Sequence, residues 1–470
     1  VAKRAENNTD RPEGIRAPSG DGREESLAEL QRCGVVGMGG AGFPTHVKLD
    51  ASVDTVVANG AECEPLLWAD KSLLLRWPDE VLDGLEIAME LTGASRAVLA
   101  MKKKYRRVVE TVERAVELRN RAGGGRIELH LLSNTYPAGD EHVLVKQVVG
   151  RTIPELGLPL DVGVVVSNVA TLRAVSRCLR RGEPVTSRLV TVLGEVAEPK
   201  TVDVPIGTPI EEVLAAAGGP TIEDYYYVVG GAMMGELTRR GDVPVLKTTS
   251  GLFVLPPEHP AVKRRLQDPA SALRLARAAC CRCMQCTDVC PRNTLGHRLY
   301  PDRLMRSMAA GITHDMQAYR GAYLCCECGL CTVYGCPMYL DPCGMNIQIK
   351  RRLREAGVEM EPVAEPDTDR FFEIKQVPLT RLVARLELTR YEVEADSTAR
   401  LEARRVHLAL KQGAGAPAKP TVRPGKRVER GEQVAEPGGR VSAAVHASID
   451  GVVESVSDEA VVITRGGKRQ

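Results

Sequence analysis

Aromatic side chains are scarce in this 470-residue sequence, with two tryptophans, four phenylalanines and eleven tyrosines making up 4% of it. A core so short of rings has to be built from aliphatic residues, and a bound nucleotide base would find few partners to stack on. Net charge is nearly missing as well. Sixty-three basic residues against sixty-one acidic ones leave +2, which excludes the basic footprint of a nucleic-acid binder. Long apolar runs are absent too: the Val162 to Val169 stretch falls far short of the ~20 residues that a transmembrane helix needs. The chain is therefore expected to be soluble and cytoplasmic, with peripheral docking on a membrane partner left open.

Cysteine, by contrast, is plentiful. Eight of the fourteen fall in two blocks: Cys280, Cys283, Cys286 and Cys290 before Pro291, and Cys325, Cys328, Cys331 and Cys336 before Pro337. The first block reads C-x2-C-x2-C-x3-C-P, a run in which three close thiolates bind one [4Fe–4S] cluster and the fourth reaches to a second. The other block has an extra residue before its last cysteine, so Cys343 stands in reserve for Cys336. Disulfides suit oxidising compartments and small domains that lack a core, whereas this chain is 43% apolar and opens with no signal-peptide pattern. Zinc favours two separated pairs closing one tetrahedral site. Three close thiolates plus a distal one before proline favour two clusters, the first held by Cys280, Cys283, Cys286 and Cys336, the second by Cys325, Cys328, Cys331 and Cys290. Cys33 and Cys178 are expected to be small buried hydrophobes.

The length suggests about three to four domains. Residues 1–25 are polar and punctuated by Pro and Gly; they read as a disordered extension rather than an encapsulation tag, with Ser26 and Glu29 as a capping box opening a short helix that ends at Gly34. Over 26–185, β-branched runs near residues 55–58, 97–101, 127–132 and 162–166 alternate with amphipathic segments near 80–91, 106–118 and 141–149. That alternation predicts an α/β domain with a largely parallel sheet. Residues 186–256 read as a small α+β unit, and 257–355 carry the cysteine blocks, with helices expected between them. Residues 356–420 read as a connecting segment ending in a Gly/Ala/Pro linker, and 421–470 as the valine-rich strands of a β barrel or sandwich.

After the first helix comes Gly37-Met38-Gly39-Gly40-Ala41-Gly42-Phe43-Pro44-Thr45, with Lys48 close behind. The glycines clear space for backbone N–H groups to approach a phosphate, and Lys48 adds a cation. The spacing is neither the Rossmann nor the Walker A pattern. Three more loops follow predicted strands: Asn59-Gly60-Ala61-Glu62-Cys63-Glu64-Pro65, Tyr136-Pro137-Ala138-Gly139-Asp140-Glu141 and Ser167-Asn168-Val169-Ala170-Thr171. The carboxyl end of such strands is where α/β sheets bind ligands.

These four motifs, in this order, resemble the FMN- and NADH-binding domain of complex I flavin subunits and of the C subunits of Rnf complexes, over roughly residues 34–255 and including an SLBB ubiquitin-like unit. The dicluster segment resembles that of the Rnf proteins. A barrel placed after the clusters, where the Rnf proteins have a comparable unit in front, resembles the PduS-type cobalamin reductases. The resemblance implies that Gly37, Gly39 and Lys48 cradle a non-covalent FMN, with Asn59, Glu62, Asn168 and Thr171 around its polar edges. Glu64 and Glu141 would face NADH, Phe43 would offer a ring to its base, and Gly40, Gly42, Gly139 and Asp140 complete the cofactor-binding set. Departures bear on NADH more than on FMN: Ala61 stands where complex I has aspartate, Asp140 replaces a glutamate, and Leu49 and Asp50 stand where complex I has aromatic residues.

The resemblance further implies hydride transfer from NADH to FMN and single-electron passage through two [4Fe–4S] clusters, with no side chain acting as acid or base. The implied acceptor is cob(II)alamin or cob(III)alamin on a cobalamin adenosyltransferase, inside or beside a bacterial microcompartment. A component of an Rnf-type (RnfC-like) ferredoxin:NAD oxidoreductase and a non-enzymatic electron conduit are the alternatives. The terminal barrel is similar in outline to biotinyl and lipoyl domains, yet its hairpin from His446 to Gly451 has no lysine to modify, so a structural or docking role is expected.

Overall fold

Central strands buried on both faces build the first domain in three layers. The computed structural model describes residues 20–124, 127–397 and 399–466. Strands β1 (Thr55–Gly60), β2 (Arg96–Lys102), β3 (Ile127–Leu132), β4 (Thr135–Tyr136) and β5 (Val164–Asn168) include a parallel sheet in the order β3-β2-β1-β5. Helices α1 (Gly20–Arg32), α2 (Thr45–Leu49), α3 (Ala69–Arg76), α4 (Pro78–Thr92), α5 (Arg106–Arg119), α6 (Glu141–Val149) and α7 (Val169–Arg181) flank it. Val56, Ala58, Ala97 and Leu99 share a core with α1, α3, α4, α5 and α7, while Val57, Val98, Ala100, Val164 and Val166 share one with α6. This is the period-2 division expected of strands buried on both faces. The carboxyl ends of β1 and β5 and the loop before α6 converge on one cavity.

One boundary differs from the sequence reading. Helix α1 is already under way at Gly20, so Ser26 is not a cap; its hydroxyl bonds back to the Gly22 carbonyl at 2.8 Å. The early turns are held from outside, by Arg23 Nε donating to the Leu91 carbonyl at 2.7 Å and by an Arg23–Asp50 ion pair at 3.0 Å, contacts that a polar composition conceals. Most of the expected disordered tail, residues 1–19, lies outside the described residues. Cys33 and Cys178 are buried together beneath α1 and α7.

The next unit has the ubiquitin-like pattern: β6 (Ser187–Gly194) antiparallel to β7 (Lys200–Pro205), then α8 (Ile210–Ala216), then β8 (Tyr226–Val229), β9 (Glu236–Thr238) and β10 (Gly251–Leu255), with β10 parallel to β6. Helices Pro269–Ala279, Pro301–Ala310 and Pro342–Glu355 frame the cysteine blocks, and shorter turns fill the interval between them.

Residues 356–420 are a strap rather than a free connector. Glu155 N–H donates to the Val363 carbonyl at 3.0 Å, Val377–Pro378 pairs antiparallel with β4, and Ala399–Arg400 pairs with β7. The terminal barrel also starts before residue 421. Strand Arg405–Ala409 pairs with Ala460–Thr464 in one sheet, and Lys419–Pro420 belongs to the other with Gln433–Glu436 and Val445–His446. Buried Val406, Leu408 and Leu410 carry that early strand's alternation, which the linker-like composition beside it masks. The His446 hairpin is not displayed to solvent: Ala447, Ser448 and Ile449 are buried, and Ser448 Oγ donates to the Ile206 carbonyl at 2.6 Å. No helix among the described residues is long and apolar enough to cross a membrane.

Candidate functional site

The glycine-rich loop closes on itself through Gly37 N–H donating to the Phe43 carbonyl at 2.8 Å. It leaves a cavity of about 490 Å³ bounded by Gly37, Gly39, Gly40, Gly42 and Phe43 on one side and by Lys48, Asn59, Gly139, Glu141, Asn168 and Thr171 on the other. Eleven of the fourteen residues expected to hold cofactor therefore meet at one cavity. Two of the glycines are there for a contact. A Cβ on Gly39 would lie 2.9 Å from the Asn168 Cβ; Gly42, at φ +68°, sits where its Cβ would come within 2.7 Å of Gly413 in the barrel segment. Gly40 is different, since a Cβ there meets nothing within 4 Å and would project into open space.

Polar groups pin the loops. Met38 N–H donates to Thr171 Oγ1 at 2.9 Å, and Asn168 Oδ1 caps α7 through Ala170 N–H at 2.8 Å. Asn59 Nδ2 donates to the Gly139 carbonyl at 3.0 Å. Lys48 Nζ lies 2.8 Å from both Glu141 Oε1 and the Val166 carbonyl, which sets one cation on the wall. Phe43 is 38% exposed and lines the cavity, so its ring is free to meet a ligand. The barrel covers the loop from outside, with Ala414 N–H donating to the Ala41 carbonyl at 2.8 Å.

Three expected residues lie elsewhere. Glu62 turns beneath the cavity, where its Oε2 accepts from Asp70 N–H at 3.0 Å, and burial pushes its carboxyl up. Glu64 points away from the cavity: its carboxylate accepts from Met233 N–H at 2.8 Å and Met234 N–H at 2.9 Å, because Gly231 lacks the side chain that would collide with it. Asp140 caps α6 and forms an ion pair with Arg292 at 2.9 Å, so it joins the first domain to the cysteine domain. Beneath the loops lies a set of buried charges with no signal in the sequence. Asp70 accepts from Asn168 Nδ2 at 2.7 Å, Arg188 donates to the Met38 carbonyl at 2.9 Å, and Lys102 donates to the Glu62 carbonyl at 3.1 Å. Burial lowers the Lys71 and Lys102 ammonium groups and raises the Asp70 carboxyl. Charged residues in an amphipathic segment read as surface, and only their convergence in space shows otherwise.

The cysteines form two cavities in the crossed arrangement. Cys280, Cys283, Cys286 and Cys336 line one, and Cys290, Cys325, Cys328 and Cys331 line the other. Cys336 thus closes the first set despite its extra residue, and Cys343 sits in the other cavity, together with Cys326. All fourteen cysteines are free. Burial pushes the Cys286 and Cys290 thiols up to about 12, with neighbouring thiols adding to both shifts; a bound iron supplies the positive charge that such sulfurs need to ionise. The cavities therefore suit a four-thiolate group each. Arg292, two residues past Cys290, adds a buried guanidinium whose Nη1 has no partner among the described residues. The Tyr136 hydroxyl donates to the Cys328 carbonyl at 2.9 Å, a second tie between the β4 loop and this cavity.

Four families match along the chain: the Nuo51 FMN-binding domain over residues 30–177, the SLBB domain over 189–237, the 4Fe-4S dicluster domain over 279–341 and the RnfC barrel sandwich hybrid domain over 393–468. Cobalamin reductase PduS of Salmonella typhimurium is 41% identical over 445 residues, which cover 94% of this chain and 97% of that protein. The C subunit of the ion-translocating oxidoreductase complex of Rhodobacter capsulatus is 36% identical over 279 residues, covering 58% of this chain and 51% of that one. Among solved structures, an NAD+-reducing [NiFe]-hydrogenase aligns with a TM-score of 0.47 and 23% identity over 73% of this chain and 64% of its own.

Proposed function

The chain belongs to the PduS family of cobalamin reductases, and from that membership we propose that it takes electrons from NADH and delivers them singly to cob(II)alamin or cob(III)alamin held by an adenosyltransferase partner. The same reading puts its work in a bacterial microcompartment or in the cytoplasm beside one. FMN in the glycine-loop cavity supplies the exchange of a hydride for single electrons, and two [4Fe–4S] clusters in the thiol cavities supply their onward passage.

What the chain itself contributes is position. The residues from Gly37 to Phe43 give up side chains so that backbone can border the flavin, Lys48 with Glu141 fixes one charged point on the wall, and Phe43 offers an aromatic face at the mouth. Gly413 packs against Gly42 and Ala414 N–H holds the Ala41 carbonyl, which braces the outer side of the loop. Glu64 organises the loop around Met233 instead of meeting the nicotinamide, and Asp140 holds Arg292 beside the second thiol cavity. No side chain has to give or take a proton in the hydride step.

The observation that carries the reading is the order of the cavities. Gly139 lines the flavin cavity, its neighbour Asp140 grips Arg292, and Arg292 lies two residues from Cys290 on the second thiol cavity. The Cys331 thiol in turn feels Cys286 of the first. Anaerobic stopped-flow mixing of reconstituted protein with NADH is the test. Loss of the flavin band followed by loss of the broad iron–sulfur absorbance is expected, with cobalamin reduction when that acceptor is added. Clusters that reduce with dithionite but with neither NADH nor NADPH would reassign the chain to an electron conduit fed by another protein.

A further inference from the structure

The second thiol cavity holds more sulfur than one cluster uses. Cys290, Cys325, Cys326, Cys328, Cys331 and Cys343 all line it, whereas a [4Fe–4S] cluster takes four thiolates. Cys326 follows directly on Cys325, and its thiol lies against Cys328 and toward Arg292. Cys343 comes from a separate element, the first turn of helix Pro342–Glu355, and its neighbours are the thiols of Cys325 and Cys331.

Its placement is built. Cys343 N–H donates to Thr332 Oγ1 at 3.0 Å, the Thr332 hydroxyl donates to Asp341 Oδ1 at 2.7 Å, and the same Asp341 oxygen caps the helix through Gly344 N–H at 2.9 Å. Further along the helix, Asn346 lines the cavity, wholly buried, with its Oδ1 unpartnered among the described residues. Lys350 Nζ then donates to the Cys325 carbonyl at 2.6 Å. One helix face thus fixes both the Cys325 backbone and the thiol beside it. A residue needed only to fill space would serve as alanine or valine; here Cys343 is 7% exposed and its thiol lies beside those of Cys325 and Cys331.

We propose that Cys343 is a reserve ligand of the second cluster, able to take over the iron of Cys325 or of Cys331; this rests on the reading of the cavity as a cluster site. In the exchange one Fe–S bond to Cys325 or Cys331 breaks and one to Cys343 forms. The proton leaving the Cys343 thiol goes to the freed thiolate, so no electron moves and no further reactant enters.

The test is iron and acid-labile sulfide content, with electron paramagnetic resonance of the dithionite-reduced full-length chain after anaerobic reconstitution. Wild type holds about eight irons if both cavities fill. Cys325→Ala and Cys331→Ala, made singly, keep about eight and the spectrum of two clusters; each combined with Cys343→Ala falls to about four. Cys328→Ala made together with Cys326→Ala, since Cys326 lies against Cys328, falls to about four with Cys343 present, because Cys343 is not its neighbour. The first-cavity signal remains in all of them and reports a folded chain. If Cys325→Ala and Cys331→Ala lose the second cluster with Cys343 present, the reserve role is wrong. A wild-type chain that takes up no iron would instead overturn the cluster reading beneath it.

Discussion

The two thiol cavities begin from nearly the same sequence motif and end in opposite surroundings. On the first, Cys283 and the adjacent Cys281 are exposed, and Met284 and Met338 on its wall are 52% and 42% exposed. On the second, Cys290, Cys328, Cys331 and Cys343 are buried, and an Arg292–Asp140 ion pair with a Tyr136 hydrogen bond joins it to the flavin domain. Cluster potential responds to exposure, nearby charge and hydrogen bonds to sulfur. Equal ligand sets therefore need not make equal relays: on the proposed function, the second cavity would be the interior step nearer the flavin domain and the first the more exposed step from which electrons would leave.

The harshest way to break that assignment is to remove one cluster at a time. Cys290→Ala should leave NADH able to bleach the flavin while the surviving first cluster is reduced far more slowly, since a missing relay lengthens the jump. Cys336→Ala should do the reverse, keeping fast reduction of the second cluster and stopping delivery to an external acceptor. Stopped-flow traces at flavin and iron–sulfur wavelengths distinguish them. Equal loss of cluster reduction in both variants would end the ordering.

A smaller effect sharpens the difference. Arg292→Met removes the buried guanidinium and leaves Asp140 uncompensated, which costs about 3–5 kcal/mol when a buried pair is broken from one side. It also takes a positive charge away from Cys290, Cys326 and Cys328. Potentiometric titration followed by electron paramagnetic resonance should show the second cluster becoming harder to reduce, with the first unchanged. Asp140→Asn paired with Arg292→Met should recover much of the stability and, because the Asp140 charge also bears on Cys326, only part of the potential.

The first domain was legible because period-2 burial and loops after strands follow directly from residue type. β1, β2, β3, α5 and α6 lie where alternation placed them, and the cysteine spacing identified which thiols share a cavity. What escaped depends on contacts distant in sequence. Glu64 reads as a ligand beside the flavin loop until Gly231, far along the chain, turns it aside. Asp140 reads as an edge of the cofactor site until Arg292 claims it, and residues 356–420 read as a connecting segment because no local pattern announces that parts of it pair with β4 and β7. Cys343 lies outside the spaced run, and only the helix carrying it reveals which cavity it enters.

The mildest expectation concerns acid. His142 and His297 stack edge to face with ring centroids 5.4 Å apart, between α6 and the loop after the Cys290 turn, and Arg292 bears on both. Burial, aided by the Arg292 charge, pulls His142 down to about 3 and lowers His297, against the opposing pull of Asp140 on both and of Glu155 on His297. Unfolded histidine titrates near 6.5. Below that value the unfolded chain binds protons that the folded interface refuses, so the contribution of these rings is present above about pH 6.5 and lost as pH falls toward 3. The slope is at most about 1.4 kcal/mol per pH unit for each ring. Neither cavity is lined by a histidine, but this pair sits against Arg292, two residues from Cys290 on the second, so acid should loosen the second cavity's side of the molecule first. Thermal unfolding between pH 7.5 and about 5.5 checks this: the midpoint should fall faster in wild type than in His142→Gln/His297→Gln, with release of the second cluster's iron ahead of the first. A midpoint that falls at the same rate in both proteins would place the acid-sensitive contact elsewhere and remove this distinction between the two cavities.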